Sequence, residues 1–194
     1  MIVRNFLNSD IEKASQITHT VWGNLYASES NDLQKLIYDF TLEYYYLNKN
    51  FSFALDDEGL CGLIFASSKT DENSITDKYK NKISSFNEKD KKTALNLFDY
   101  VENTGKEVKK VMNDDDLMMG LFISRKKGGG KMLLSKLKES AIYNGIKNIY
   151  LWTDTTCDFD YYQKNNFTLV KGFECIVNNK KINTLIFKKT LSNK

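Results

Sequence analysis

Proline is absent from the 194 residues, histidine occurs once, and cysteine three times. Without proline, turns must be made by Asn, Asp, Gly and Ser, as in Asp56-Asp57-Glu58-Gly59 and Asn178-Asn179. Cys61, Cys157 and Cys175 are widely spaced, include no C-x-x-C pair and leave an odd count, while His19 stands alone. Neither a disulfide framework nor a zinc site is indicated, and no metal is expected. MIVRNFLNSDIEKA holds no signal-like apolar stretch, and no run approaches the ~20 apolar residues of a membrane span. The expectation is a cytoplasmic protein with no membrane partner. Neither sign of charge dominates: 28 basic against 25 acidic residues give +3, which does not suggest a nucleic-acid binder.

A hydrophobic content of 41% over this length predicts one domain, residues 1–194, with a substantial core. Residues 2–6 alternate as a first strand. Asn8, Ser9 and Asp10 then offer caps for a helix reaching Trp22. Asn31 or Asp32 caps a second helix whose Leu33, Leu36, Ile37, Phe40 and Tyr44 share a face. Segments 51–55 and 60–67 flank the Asp56–Gly59 turn as a hairpin. Residues 70–113 are polar and lysine-rich, with a helical pattern over 88–100. So long an insertion is either packed as extra helices or mobile, and as a solvated excursion, a lid or a subunit contact it stays open here. The chain closes with a hairpin over 169–177 and 182–191.

The most informative stretch is DLMMGLFISRKKGGGKMLLSKLKESAIYNG, positions 116–145. An apolar run of strand length leads through a basic turn and three glycines into an amphipathic helix striped by Leu133, Leu134, Leu137 and Ala141. Glycines at a helix start let a ligand approach the free N–H groups and the positive end of the helix dipole, which is how phosphate is bound. Arg125, Lys126, Lys127 and Lys131 add charge, so Gly128, Gly129 and Gly130 read as a diphosphate cradle. A nucleotide-triphosphate P-loop is excluded: Gly130-Lys131 is followed by Met132 instead of Ser or Thr, and Arg125 occupies the first glycine's place. A dinucleotide fingerprint fails as well, because Lys131, Met132 and Leu133 follow the glycines.

Residues 149–153 read as a second buried strand, followed by TTCDFDYYQKNNF. The order of these parts resembles the GNAT superfamily of acetyl-CoA-dependent N-acyltransferases. Arg125 to Gly130 is similar to its Gln/Arg-x-x-Gly-x-Gly/Ala loop. Tyr161 to Phe167 is similar to its aromatic-Tyr-x-x-x-Gly-Phe run, with Asn166 in the glycine position. Asn is the next-best residue for a left-handed conformation, so that replacement is mild. Thr155 stands where many members carry an Asn that bonds the pantetheine arm, and its hydroxyl offers one such bond.

The resemblance implies an α+β fold (an α/β sandwich): a twisted, mixed, mostly antiparallel sheet of about seven strands, helices on both faces, and a helical insertion between the third and fourth strands. It implies acetyl-CoA as cosubstrate, held by the cradle and by the main chain of Leu121, Phe122 and Ile123, near Thr155 and Cys157. Acetyl would pass directly to a primary amine of a small molecule or peptide. Tyr162 would be the acid that protonates the thiolate, against a packing role that suits Tyr161 better. Among Asp114, Asp115 and Asp116, the last lies nearest the strand and is the candidate base, against the reading of a solvated acidic turn. Cys157 reads as a small neighbour of the pantetheine and not as an acyl carrier, since no His is nearby. Trp22, Tyr26 and Tyr45 are the candidate acceptor contacts, with aromatic faces that suit a cation. A homodimer is a frequent arrangement in the superfamily. The alternative is a non-catalytic acyl-CoA sensor or interaction module on the same fold.

Overall fold

The computed structural model describes residues 1–22, 29–178 and 180–191, without the side chains of Val21 and Trp22. One sheet of seven strands has the order β1-β2-β3-β4-β5-β7-β6. The strands are β1 (Ile2–Asn5), β2 (Ser52–Asp56), β3 (Leu60–Ser68), β4 (Asp116–Ser124), β5 (Asn148–Asp154), β6 (Thr168–Val177) and β7 (Lys180–Thr190). Only β4 and β5 run parallel; every other neighbouring pair is antiparallel. The helices are α1 (Ile11–Trp22), α2 (Asn31–Tyr45), α3 (Ile75–Lys82), α4 (Glu88–Val111), α5 (Gly129–Tyr143) and α6 (Asp160–Lys164). This is the mixed, mostly antiparallel sheet between helices that the sequence predicts. None of the described helices is long and apolar enough to cross a membrane.

Two apolar layers hold the sheet. On one face α1, α2 and α4 bury Ile17, Leu33, Phe40 and Phe98 against Phe65, Leu121 and Ile123. On the other, the stripe of α5 packs on Leu55, Ile64, Leu117, Met119 and Leu151. The α2 cap lies one residue earlier than expected: Ser30 Oγ accepts from Leu33 N at 3.3 Å.

The insertion is packed and not a solvated excursion. Asn87 caps α4, its Oδ1 accepting from Asp90 N at 2.9 Å. The helix runs past the expected end at Tyr100 because its buried stripe continues through Val101, Thr104, Gly105 and Val108. Its Phe98 ring lies 4.2 Å, centroid to centroid, from Phe40 on α2.

β4 carries an irregularity that positions everything after it. Against β3, Phe65 pairs with Leu121 and Ala66 with Met119, so Gly120 is an extra residue in the strand. One added residue reverses the alternation of faces. Leu117 and Met119 accordingly point to the α5 layer before it, while Leu121 and Ile123 point to the α2 layer after it.

Candidate active site

β4 and β5 pair from Asp116↔Asn148 to Met119↔Leu151 and then part. Beyond that point β4 continues to Ser124, paired only with β3. A cavity of about 660 Å³ opens in the gap, lined by Gly120 to Ser124 of β4 and by Trp152, Thr153 and Asp154 of β5. Its other walls come from Gly128, Gly130 and Lys131 at the start of α5, Tyr161 and Tyr162 of α6, and residues of α2 and α4.

Each glycine of the cradle answers a different requirement. Gly128 has φ +82°, a left-handed conformation that costs other residues energy. Gly129 is buried, and a Cβ there would stand 2.7 Å from Ser124 Oγ and nearer still to Leu55 Cδ2. Gly130 lines the cavity, where a Cβ would come within 3.2 Å of Phe122 Cζ and 3.5 Å of Tyr161 Oη. Gly129 N donates to Lys126 O and Met132 N to Gly128 O, whereas among the described residues the N–H groups of Gly130 and Lys131 find no acceptor. Two free donors at a helix N-terminus make an anion site. Lys131 lines the cavity, as does Lys126, whose ammonium pairs with Asp57 at 2.7 Å.

At α6, Asn166 adopts φ +60°, the left-handed turn expected of the residue in the glycine position. Its N–H donates to Gln163 O and that of Phe167 to Tyr162 O, both at 3.0 Å, so the chain folds back and buries Phe167. Tyr162 is thereby seated with its ring centroid 5.8 Å from that of Phe167 and 6.0 Å from that of Phe187. Burial pushes the Tyr162 phenol well above its ordinary value. Tyr161 lies over Phe122, ring centroids 5.8 Å apart.

No family model matches this chain, and no curated protein matches it. Solved structures do match. An acetyltransferase aligns over 99% of this chain and 100% of its own at a TM-score of 0.59 and 12% identity. The ribosomal-protein-S18-alanine N-acetyltransferase from Escherichia coli aligns over 100% of this chain and 95% of its own, with TM-score 0.54 and 10% identity. An aminoglycoside 6'-acetyltransferase type Ii aligns over 100% and 99%, with TM-score 0.56 and 15% identity. The chain has the GNAT fold. One of these neighbours is named for a protein acceptor and another for a small molecule, so the GNAT fold by itself does not select the acceptor.

Within this GNAT fold the residues predicted from sequence divide. Leu121, Phe122, Ile123, Lys126, Gly128, Gly130, Lys131, Cys157 and Tyr162 line the cavity, as does Tyr45, which is buried. Arg125 and Lys127 do not; both are exposed, and Arg125 N still continues the sheet by donating to Cys61 O at 3.0 Å. Gly129 lies behind the wall, supporting the turn. Thr155 is exposed and lines nothing, its N–H donating to Asn183 O. Desolvation of the sulfur, with the nearby Asp154 carboxylate adding to it, raises the Cys157 thiol although the residue as a whole is exposed, which keeps it protonated at neutral pH. Tyr26 lies outside the described residues, as does the side chain of Trp22.

Asp116 is a correction. Its carboxylate is fully buried at the opposite end of β4, accepting from Asn148 Nδ2 at 2.6 Å and from Asn113 N at 2.8 Å. Four steps along the strand, about 13 Å, separate it from Gly120, where the cavity begins. It ties the paired ends of β4 and β5 together. Of the two acids that line the cavity, Asp158 is exposed and Asp154 is largely buried; the sequence reading passed over Asp154. Its signal was its place: an acidic residue ending a strand whose carboxyl end faces the gap.

Proposed function

We propose that this chain is an acetyl-CoA-dependent N-acetyltransferase that acetylates a primary amine of a small molecule or peptide within a ternary complex. The observation that carries this reading is that the unpaired N–H groups of Gly130 and Lys131 and the phenol-bearing Tyr162 line one cavity between separated strands.

The residues fit the cosubstrate. Glycine at 130 leaves the backbone open to a diphosphate where any side chain would crowd Phe122. Gly128, Gly130 and Lys131 would hold that diphosphate, and the main chain of Leu121 to Ile123, unpaired on the β5 side, would take the pantetheine amides. Acetyl-CoA supplies an activated thioester. A main-chain N–H of β4 would polarise the carbonyl, a contribution of ~3–4 kcal/mol when the donor is well placed. Tyr162, kept protonated by burial, would give its proton to the departing sulfur.

Calorimetry with coenzyme A, followed by thiol release from acetyl-CoA with a panel of amines, tests the reading. Binding together with amine-dependent release is the expected result. Binding without release from any amine favours the sensor alternative, and absence of binding removes both.

A further inference from the structure

The side of the cavity away from the α5 cradle is walled by α4, which the insertion supplies. This helix is fastened at both flanks. Toward α2, Phe98 stacks near Phe40, and Ser30 Oγ donates to Asp90 at 2.8 Å. Toward the last hairpin, Asn96 Nδ2 donates to Asn178 Oδ1 in the β6–β7 turn at 2.8 Å, and Lys171 of β6 pairs with Glu107 at 2.7 Å. α4 therefore bridges α2 and the hairpin across this side of the cavity.

Under this bridge sits Asp154, 9% exposed. Its Oδ1 accepts from the N–H and hydroxyl of Thr156. Among the described residues its Oδ2 is reached only by Tyr100 Oη of α4, at 3.4 Å, while that hydroxyl makes its shorter bond, 2.8 Å, with Thr184 Oγ1. Among the described residues Asp154 has no ion-pair partner. A largely buried carboxylate with an open lone pair is suited to a cation. Trp152, edge-to-face with Tyr100 at 5.3 Å, adds an aromatic surface beside it, and Ile37, Leu97 and Val101 make the neighbouring wall apolar.

We infer that α4 and Asp154 together select the acceptor: a small primary amine with an apolar body, its ammonium on Asp154 Oδ2 and its body against Ile37, Leu97 and Val101, to the exclusion of extended polypeptides. The inference rests on the acetyl-transfer reading above and narrows it. Asp154 binds the acceptor as its ammonium; one proton leaves to solvent before the neutral amine attacks, and the second, lost from nitrogen as the amide forms, replaces the proton that Tyr162 gives to sulfur.

The test compares phenethylamine with a hexapeptide bearing a free N-terminal amine, by thiol release at saturating acetyl-CoA. The amine should exceed the peptide by at least about tenfold in kcat/KM, a difference that one well-formed contact can supply. Asp154→Asn should raise the KM for phenethylamine about tenfold or more while the Kd for coenzyme A stays within about twofold. Because that substitution touches the Thr156 turn, phenethyl alcohol serves as a control on the unaltered protein. Without the charge it should compete at least about tenfold more weakly than the amine. Leu97→Trp, which fills the apolar wall, should abolish amine turnover with coenzyme A binding retained. Equal use of the peptide, equal competition by the alcohol, or an unchanged KM in Asp154→Asn would overturn the inference and leave acetyl transfer standing. Failure to bind coenzyme A would instead remove the transfer reading itself.

Discussion

The ring of Tyr45 fills the space that a side chain at position 120 would need. A Cβ built on Gly120 would stand 2.6 Å from Tyr45 Cε1 and closer still to Cδ1. The bulge in β4 and the buried ring of Tyr45 on α2 thus depend on each other, at the point where β4 leaves β5.

Gly120→Ala should therefore destabilise the protein by about 1–3 kcal/mol, the usual cost of overpacking. For a chain of this size that lowers the melting temperature by roughly 2–12 °C. Combining it with Tyr45→Leu should recover part of the loss. A melting temperature equal to that of the unaltered protein would show that the ring moves aside freely.

Asp116→Ala separates a structural carboxylate from a catalytic one. It leaves Asn148 Nδ2 and Asn113 N without their acceptor, and an unsatisfied buried donor costs about 1–3 kcal/mol. Stability measured by urea titration should fall by that order. The kcat of the protein that remains folded should stay within about threefold. A collapse of kcat at unchanged stability would return Asp116 to the chemistry.

Tyr162→Phe should lower kcat by about 10²- to 10⁴-fold, the range for loss of a positioned acid, and leave coenzyme A affinity nearly unchanged by calorimetry. Burial raises this phenol, so its acid form persists above the ordinary tyrosine range. The kcat of the unaltered enzyme should accordingly show no alkaline decline below roughly pH 10. Equal turnover in both proteins would transfer the role elsewhere, with Tyr161 the nearest phenol to examine.

Alkaline stability follows from the same burial. Desolvation lifts Tyr44 to about 12 and pushes Tyr45, Tyr79, Tyr100 and Tyr162 up as well, with the Glu43 carboxylate adding to the effect at Tyr79. Below the unfolded value of ~10 both states hold these protons, and the contribution to stability is fully present. Above it the unfolded chain releases protons that the folded chain keeps. Stability then falls by about 1.4 kcal/mol per pH unit for each such group until the folded value is passed. Phenolate absorbance and circular dichroism followed together should change in one cooperative step well above pH 10. Titration of these phenols near pH 10 with intact dichroism would contradict it.

What sequence reading captured here was local. The α5 cradle announced itself because glycine, a basic turn and an apolar stripe are adjacent in the chain. Asn166 could be placed in the left-handed region because few residues tolerate it. What escaped was relational. Asp116 and Asp154 each stand at the end of an apolar strand, and only the point where β4 and β5 separate decides which of them faces a cavity. The second half of α4 was missed because Thr104 and Gly105 are poor markers of a buried stripe. Gly105 faces α2, where a Cβ on it would meet the Tyr44 hydroxyl at 3.5 Å. Arg125 followed the motif in order but not in direction, since its backbone is still engaged with β3.

The bridge formed by α4 divides labour along the chain. Positions 120–131 and 157–162 build one half of the cavity, while the inner stripe of α4 and its partners on α2 build the other, with no residue in common. Exchanging Leu97 or Val101 reshapes the second compartment while the glycines of the first are left unaltered. Redesign toward a bulkier or more polar guest can thus proceed on a single helical face, with the rest of the scaffold as a constant.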